Sequence, residues 1–169
     1  SRAYDDVSLP INFNQTISQP YIVARMIEVL RAAHTSGKPL DRVLEIGTGC
    51  GYQAALLSVL AQHVISVERL RPLFERARDH LASLRRDNLR LVYGDGRLGH
   101  APNAPYDAII CAAGGEDVPS AWLEQMAVGA RLIAPTRSDD GAGQVLIVID
   151  RRADGWSRRC HETVRFVPL

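Results

Sequence analysis

Regular patterning along the chain begins at Pro20, after which Ile22, Val23, Met26, Ile27 and Leu30 fall at helical spacing over residues 20–33. The twenty or so residues before it show no such period and read as an irregular opening. Ser18 is available to cap the helix, and Pro20 suits its first turn. His34-Thr-Ser-Gly-Lys-Pro39 then breaks the pattern, and the apolar run over residues 43–46 ends in glycines, as a buried strand entering a tight turn would. Beyond it the two periods alternate. Residues 51–61 read as helix, 64–67 as strand, 71–84 as a charged amphipathic helix, 89–93 and 106–111 as strands, 120–126 as a short helix and 131–134 as a strand. Strands that are apolar throughout and alternate with helices imply a mostly parallel sheet covered on both faces by right-handed crossovers. The expected fold is therefore a doubly wound, Rossmann-like α/β domain. The end departs from it: residues 144–149 and 163–167 are strand-like runs joined through Arg151-Arg-Ala-Asp-Gly155, which predicts an antiparallel pair at one edge. With no internal repeat and no low-complexity tract, residues 1–169 are expected to form one domain.

Composition narrows the partners. A chain of 169 residues can bury about two thirds of its unfolded surface around one core. Its apolar runs are too short to cross a bilayer. Twenty basic against 19 acidic residues leave a formal charge of +1, too little to concentrate nucleic acid or hold an anionic membrane, and neither is expected as a partner. Cys50, Cys111 and Cys160 are odd in number, far apart and without a C-x-x-C pair, so no disulfide framework or zinc site is expected. The five histidines show no ligand spacing either, and no metal is expected. The opening Ser-Arg-Ala-Tyr-Asp-Asp is polar and charged, unlike a signal peptide. A monomer in the reducing cytoplasm is the expectation.

In a doubly wound sheet, ligands lie over the carboxyl ends of the strands, so the loops there carry the candidate chemistry. The first reads Glu45-Ile-Gly47-Thr-Gly49-Cys-Gly51-Tyr52. Its glycines let the backbone turn sharply and approach a ligand closely. A dinucleotide fingerprint would place a third glycine at position 52, where Tyr52 stands. The E-x-G-x-G-x-G pattern instead resembles motif I of class I S-adenosyl-L-methionine-dependent methyltransferases. That resemblance makes Glu45, Gly47, Thr48, Gly49 and Gly51 candidates for holding this cofactor, with Glu45 suited to the amino group of its methionine moiety; a plain tight turn is the alternative. Glu68 ends the next strand, where such folds place a carboxylate for both ribose hydroxyls, although alone it could be a solvated charge beside Arg69. Asp95, between Gly94 and Gly96, could accept an adenine amine; Asp-Gly is also a common turn. Ala112-Ala-Gly-Gly115 would leave a floor of small residues, and Asp107, at the start of its strand, reads as structural.

Over nearly its whole length the chain resembles the protein-L-isoaspartate O-methyltransferase family. The matching stretches are Gln15-Thr-Ile-Ser-Gln-Pro20, Val43-Leu-Glu-Ile-Gly-Thr-Gly-Cys-Gly-Tyr-Gln53, Val67-Glu-Arg69, Gly94-Asp-Gly96, Ala104-Pro-Tyr-Asp-Ala-Ile109 and Val164-Arg-Phe-Val-Pro-Leu169. The resemblance implies repair of proteins and peptides containing L-isoaspartyl residues, by transfer of the cofactor's methyl group to their free carboxylate. By the same carry-over, Ser18 would orient that carboxylate as the catalytic position. Thr16 and Ile17 would border the transfer site, Glu45, Glu68, Asp95 and Gly96 would bind cofactor, and Val167 would lie beside the substrate backbone. Family members usually carry a helical segment ahead of the stretch matching residues 3–10, and the chain is expected to lack it. It also has Cys111-Ala-Ala-Gly-Gly115 where the family often has Thr-Ala-Ala and a proline, and a longer, more polar loop over residues 135–143. The competing expectations are a class I methyltransferase with another acceptor, a module that binds the cofactor without turnover and, more distantly, a nicotinamide dehydrogenase.

Overall fold

The computed structural model describes residue 2, residues 5–34 and residues 39–169; of the helix break expected over residues 34–39, residues 35–38 lie outside them. The opening is not irregular. Leu9–Asn12 (β1) and Gln15–Ile17 (β2) form an antiparallel hairpin, and Asn12, Phe13 and Asn14 all take positive φ, of 79°, 54° and 57°. Positive φ at both central residues, Phe13 and Asn14, is what a type I′ hairpin turn requires. Helix α1 (Pro20–Arg31) follows, and its cap is a second correction: the N-cap position is Gln19, with no side-chain cap from Ser18. Asp6 serves this end from a distance instead. Its Oδ1 accepts from the Tyr21 N–H at 2.8 Å, while its Oδ2 accepts from Gln19 Nε2 at 2.9 Å.

The remaining elements are β3 (Leu40–Ile46), α2 (Tyr52–Leu60), β4 (Ala61–Glu68), α3 (Arg71–Ala82), β5 (Leu89–Tyr93), β6 (Tyr106–Cys111), α4 (Ser120–Glu124), β7 (Met126–Arg137), β8 (Gln144–Arg152) and β9 (Gly155–Val164). Strands β3 to β9 form one sheet in the order β5-β4-β3-β6-β7-β8-β9. The first five in that order are parallel, and β8 runs antiparallel to both its neighbours. Strand β3 has β4 on one side and β6 on the other, so the chain order reverses there and opens a crevice over the carboxyl ends.

Both faces of the centre are buried. Val43 of β3 with Ala108 and Ile110 of β6 join the side chains of α1 and Leu57 of α2 in one apolar cluster; Leu44, Ile46, Ile109 and Cys111 join Trp122 of α4 in the other. Neighbouring residues of a strand point to opposite faces, which is why these strands are apolar throughout rather than alternating. Strand β7 is longer than the expected 131–134: it begins at Met126 beyond a register shift opposite β6 and runs through Pro135 to Arg137. The loop before β8 therefore covers residues 138–143, not 135–143. The last strand is β9, earlier than the expected 163–167, because Trp156 to His161 are largely polar and solvated on this edge and carry no apolar signal. Among the described residues, no helix is long and apolar enough to cross a membrane.

Four polar side chains are buried where β3, β4 and α2 meet. Glu45 pairs in register with Ser66 of β4, and both are fully buried. The Ser66 hydroxyl donates to Glu45 Oε2, and Gln53 Nε2 donates to Glu45 Oε1 at 3.0 Å. Thr48 Oγ1 lies 2.5 Å from Ser66 Oγ. Burial pushes the Glu45 carboxyl up to about 8, against the opposing pull of the Ser66 and Gln53 hydrogen bonds. A carboxyl whose pKa is raised on folding favours the fold below its unfolded pKa, and that contribution is lost as pH climbs toward the folded value. The urea midpoint of the protein should therefore fall, relative to that of Glu45→Gln, between about pH 4.5 and about pH 8. A difference constant across that window would show the carboxyl to be ionised in the fold.

Candidate functional site

The crevice over β3, β4 and β6 is a cleft whose wall is the turn after β3. Gly47, Gly49 and Gly51 there have φ of 90°, 57° and 91°, in the region that side chains disfavour. Packing adds a reason at two of them. A Cβ on Gly51 would stand 2.8 Å from Leu81 Cδ1, and one on Gly49 would stand 3.2 Å from Ile11 Cδ1. The turn is thus pressed between the end of α3 and the β1–β2 hairpin. Arg76 of α3 holds that hairpin, donating from Nη1 to the Ile11 carbonyl at 2.9 Å.

Glu68, at the end of β4, faces the same turn. Its Oε2 accepts from the Gly49 N–H and its Oε1 from the Leu70 N–H, each at 2.9 Å. Each carboxylate oxygen keeps a free lone-pair site, so two further donors such as a vicinal diol can be accommodated. Ile46, Leu70 and Leu73 give apolar wall, and Ala112 and Ala113 give the floor of small side chains. A nucleoside with a free diol fits this set. A pyrophosphate suits it less, since the Glu68 carboxylate already takes the Gly49 N–H and sets a negative charge against the turn. Cys111 beneath the floor is inert: burial pushes its thiol up to about 12.

The expected site residues divide into three groups. Gly47, Thr48, Gly49, Glu68 and Gly96 line the cleft, and Thr16, Ile17, Ser18 and Val167 line the same cleft with them. Glu45 and Gly51 lie one layer down: the Glu45 carboxyl faces Ser66 and Gln53 rather than the cleft, and Gly51 is buried against Leu81. Asp95 stands aside, its Oδ1 accepting from the Arg97 N–H at 3.0 Å as the cap of a short 3₁₀ turn. Gly96 is fixed by its surroundings, with its carbonyl accepting from Trp122 Nε1 at 2.8 Å. Asp107 is structural, accepting the Arg42 N–H at 2.9 Å.

Three contributors were not read from the sequence. Gln53 lines the cleft while bonding Glu45, Ser66 ties Glu45 to Thr48, and Ile11 closes over Gly49. A serine within Val64-Ile-Ser-Val67 was the available signal for the second, since a buried hydroxyl needs a partner. At the far end of the cleft the chain terminus is stitched to the β6 loop: the Gly114 N–H donates to the Val167 carbonyl at 2.7 Å, and the Leu169 N–H to the Gly114 carbonyl at 2.8 Å. Ser18 also borders a second groove running outward past Val167.

Comparison with known proteins agrees with this geometry. The family model described as protein-L-isoaspartate(D-aspartate) O-methyltransferase matches residues 1–169. A protein-L-isoaspartate O-methyltransferase of Methylibium petroleiphilum is 61% identical over 100% of this chain and 63% of its own length. One of Leptothrix cholodnii is 59% identical over 100% of this chain and 60% of its own. The chain thus spans about three fifths of these relatives. A solved protein-L-isoaspartate O-methyltransferase superposes with a TM-score of 0.86 at 29% identity, covering 98% of this chain and 53% of the other. A Plasmodium falciparum protein described as such an enzyme, solved with S-adenosyl-L-homocysteine, superposes at 0.82 with 25% identity over 98% and 81% of the two chains. With the glycine turn, the carboxylate facing it and the terminal strap in place across its full length, the chain belongs to the protein-L-isoaspartate(D-aspartate) O-methyltransferase family.

Proposed function

We propose that residues 1–169 act as one domain that methylates the free carboxylate of L-isoaspartyl residues in damaged proteins and peptides, using S-adenosyl-L-methionine. The observation that carries this reading is the position of Ser18. It lies where the cleft over the glycine turn meets the outward groove, beside Thr16 and Val167, and it does not cap α1. When bound, the cofactor supplies an electrophilic methyl group on a sulfonium. Glu68 holds the ribose hydroxyls, and Gly47, Thr48 and Gly49 bring the backbone against the methionine end. Glu45 and Gly51 support that turn from below, and Gly96 borders the adenine while Asp95 caps the short turn that presents it.

The acceptor is a carboxylate with an ordinary pKa of about 4, already ionised at neutral pH, so no side chain has to remove a proton. What the chain supplies is alignment and exclusion of water, and holding reacting atoms about 3 to 3.5 Å apart can recover about 7 to 11 kcal/mol. Ser18 donates its hydroxyl to the acceptor carboxylate, Thr16 and Ile17 wall off solvent, and the backbone near Val167 contacts the peptide main chain, which reads no side chains. Three unpaired thiols support a reducing, cytoplasmic setting, and near-neutral charge argues against nucleic-acid or membrane partners.

The decisive experiment incubates the protein with methyl-labelled cofactor and peptide pairs that differ only in an aspartyl or isoaspartyl linkage. Label should enter the isoaspartyl member alone; equal labelling would remove the repair assignment. Ser18→Ala should lower kcat by roughly 10- to 100-fold, the worth of one hydrogen bond to a charged group, with the cofactor dissociation constant unchanged. Near-normal turnover would take Ser18 out of the reaction. Glu68→Ala should weaken cofactor binding by roughly 1.5 to 3 kcal/mol, read by calorimetry. An unaltered affinity would contradict its ribose role.

A further inference from the structure

The groove that leads outward from Ser18 has an uneven charge. Ser8, Gln19 and Ile22 line one part of it and Gly143, Gln144 and Arg165 another, and it shares Thr16, Ser18 and Val167 with the cleft. Among the described residues lining it, Arg165 is the only charged side chain, and it is exposed. No described acid of the neighbouring segments lines it, Asp139 included, and three of them are engaged elsewhere. Asp6 accepts from Gln19 and the Tyr21 N–H, Asp140 from Ser138 and the Ala142 N–H, and Glu162 pairs with Arg25 at 3.4 Å. A peptide laid along this groove with its reacting carboxylate at Ser18 would thus pass one cation and no lining acid.

We propose that Arg165 selects among isoaspartyl substrates by charge, favouring acidic residues next to the damaged linkage and disfavouring basic ones. This rests on the repair reading above. Main-chain contacts at Val167 leave the flanking side chains unread, so one fixed charge can bias turnover without demanding a sequence. The bias is modest because the guanidinium is solvated: an exposed ion pair is worth about 2- to 5-fold. Salt screens such a pair, over about 10 Å at 0.1 M ionic strength, so the preference should shrink as salt rises.

The test uses three isoaspartyl peptides identical except for Glu, Gln or Lys on both sides of the linkage, with kcat/KM measured at low and high salt. The protein should rank them Glu, Gln, Lys, with about 2- to 5-fold between the extremes at low salt and less at high salt. Arg165→Glu should reverse the order, and Arg165→Gln should level it. A retained rise in melting temperature with S-adenosylhomocysteine shows that each variant keeps its cofactor cleft, and Arg165→Gln carries the test if the charge reversal does not fold. Equal turnover of the three peptides, or one ranking shared by the protein and its variants, overturns the role of Arg165 and leaves the repair reading standing. Turnover of none, with the S-adenosylhomocysteine shift intact, overturns both.

Discussion

The register of β3 on β4 sets Glu45 opposite Ser66, and the glycine turn hangs from that pairing. In a strand, residues two apart share a face, so Ser66 and Glu68 both point to the side where the turn passes. Ser66 reaches Thr48 and Glu68 reaches the Gly49 N–H, and the turn is held at two adjacent residues by two residues of one strand. Slipping that register by one would send both side chains to the opposite face. Gln53, in the first turn of α2, closes the arrangement from the helix side by bonding Glu45. The cleft wall is therefore a consequence of strand pairing, and its polar atoms satisfy one another before any ligand arrives.

That economy has a chemical consequence. A carboxyl buried among apolar strands is costly when ionised, and burial shifts it toward the neutral form. Hydrogen bonds from Ser66 and Gln53 keep its oxygens paired, so the network is satisfied, which is the condition for a buried polar cluster to specify one geometry. Glu68, four residues after Val64 opens the apolar part of β4, carries the cleft side of the same arrangement. One acid stabilises the turn from below, and the other faces the space above it.

The parallel core could be read from the sequence because the constraint is local: a strand buried on both faces is apolar on consecutive residues, as at Val43 and Leu44 of β3 and over residues 108–111 of β6. The glycine turn was legible for the same reason, since positive φ and close packing admit little but glycine. What escaped depends on distant residues. The β1–β2 hairpin contains Pro10 and turns through Phe13 at positive φ, and neither residue signals such a turn. The cap of α1 comes from Asp6, thirteen residues ahead of its Gln19 partner. Edge strand β9 is solvated along most of its length, so apolar periodicity could not mark it. In the site, the acid at position 45 could be seen and a serine inside an apolar strand was a signal, but that the two are partners shows only once β4 is laid against β3.

Asp6 also bears on the proposed methyl transfer. A serine at a helix start ordinarily accepts a backbone N–H through its side-chain oxygen, and Ser18 was the obvious candidate for α1. A hydroxyl committed in that way is held at the helix end and aimed at the backbone. Here Gln19 takes the N-cap position, Asp6 accepts the Tyr21 N–H, and Pro20 removes one donor from the first turn. Capping is thus met from outside the Thr16-Ile-Ser18 stretch, and the Ser18 hydroxyl stays on the cleft wall. A reaction that needs no base needs its acceptor carboxylate held still, and a neutral hydroxyl can do this by donating one hydrogen bond while leaving the attacking oxygen its charge. A lysine or arginine at position 18 would hold the carboxylate more strongly, but it would draw charge from the oxygen that must attack.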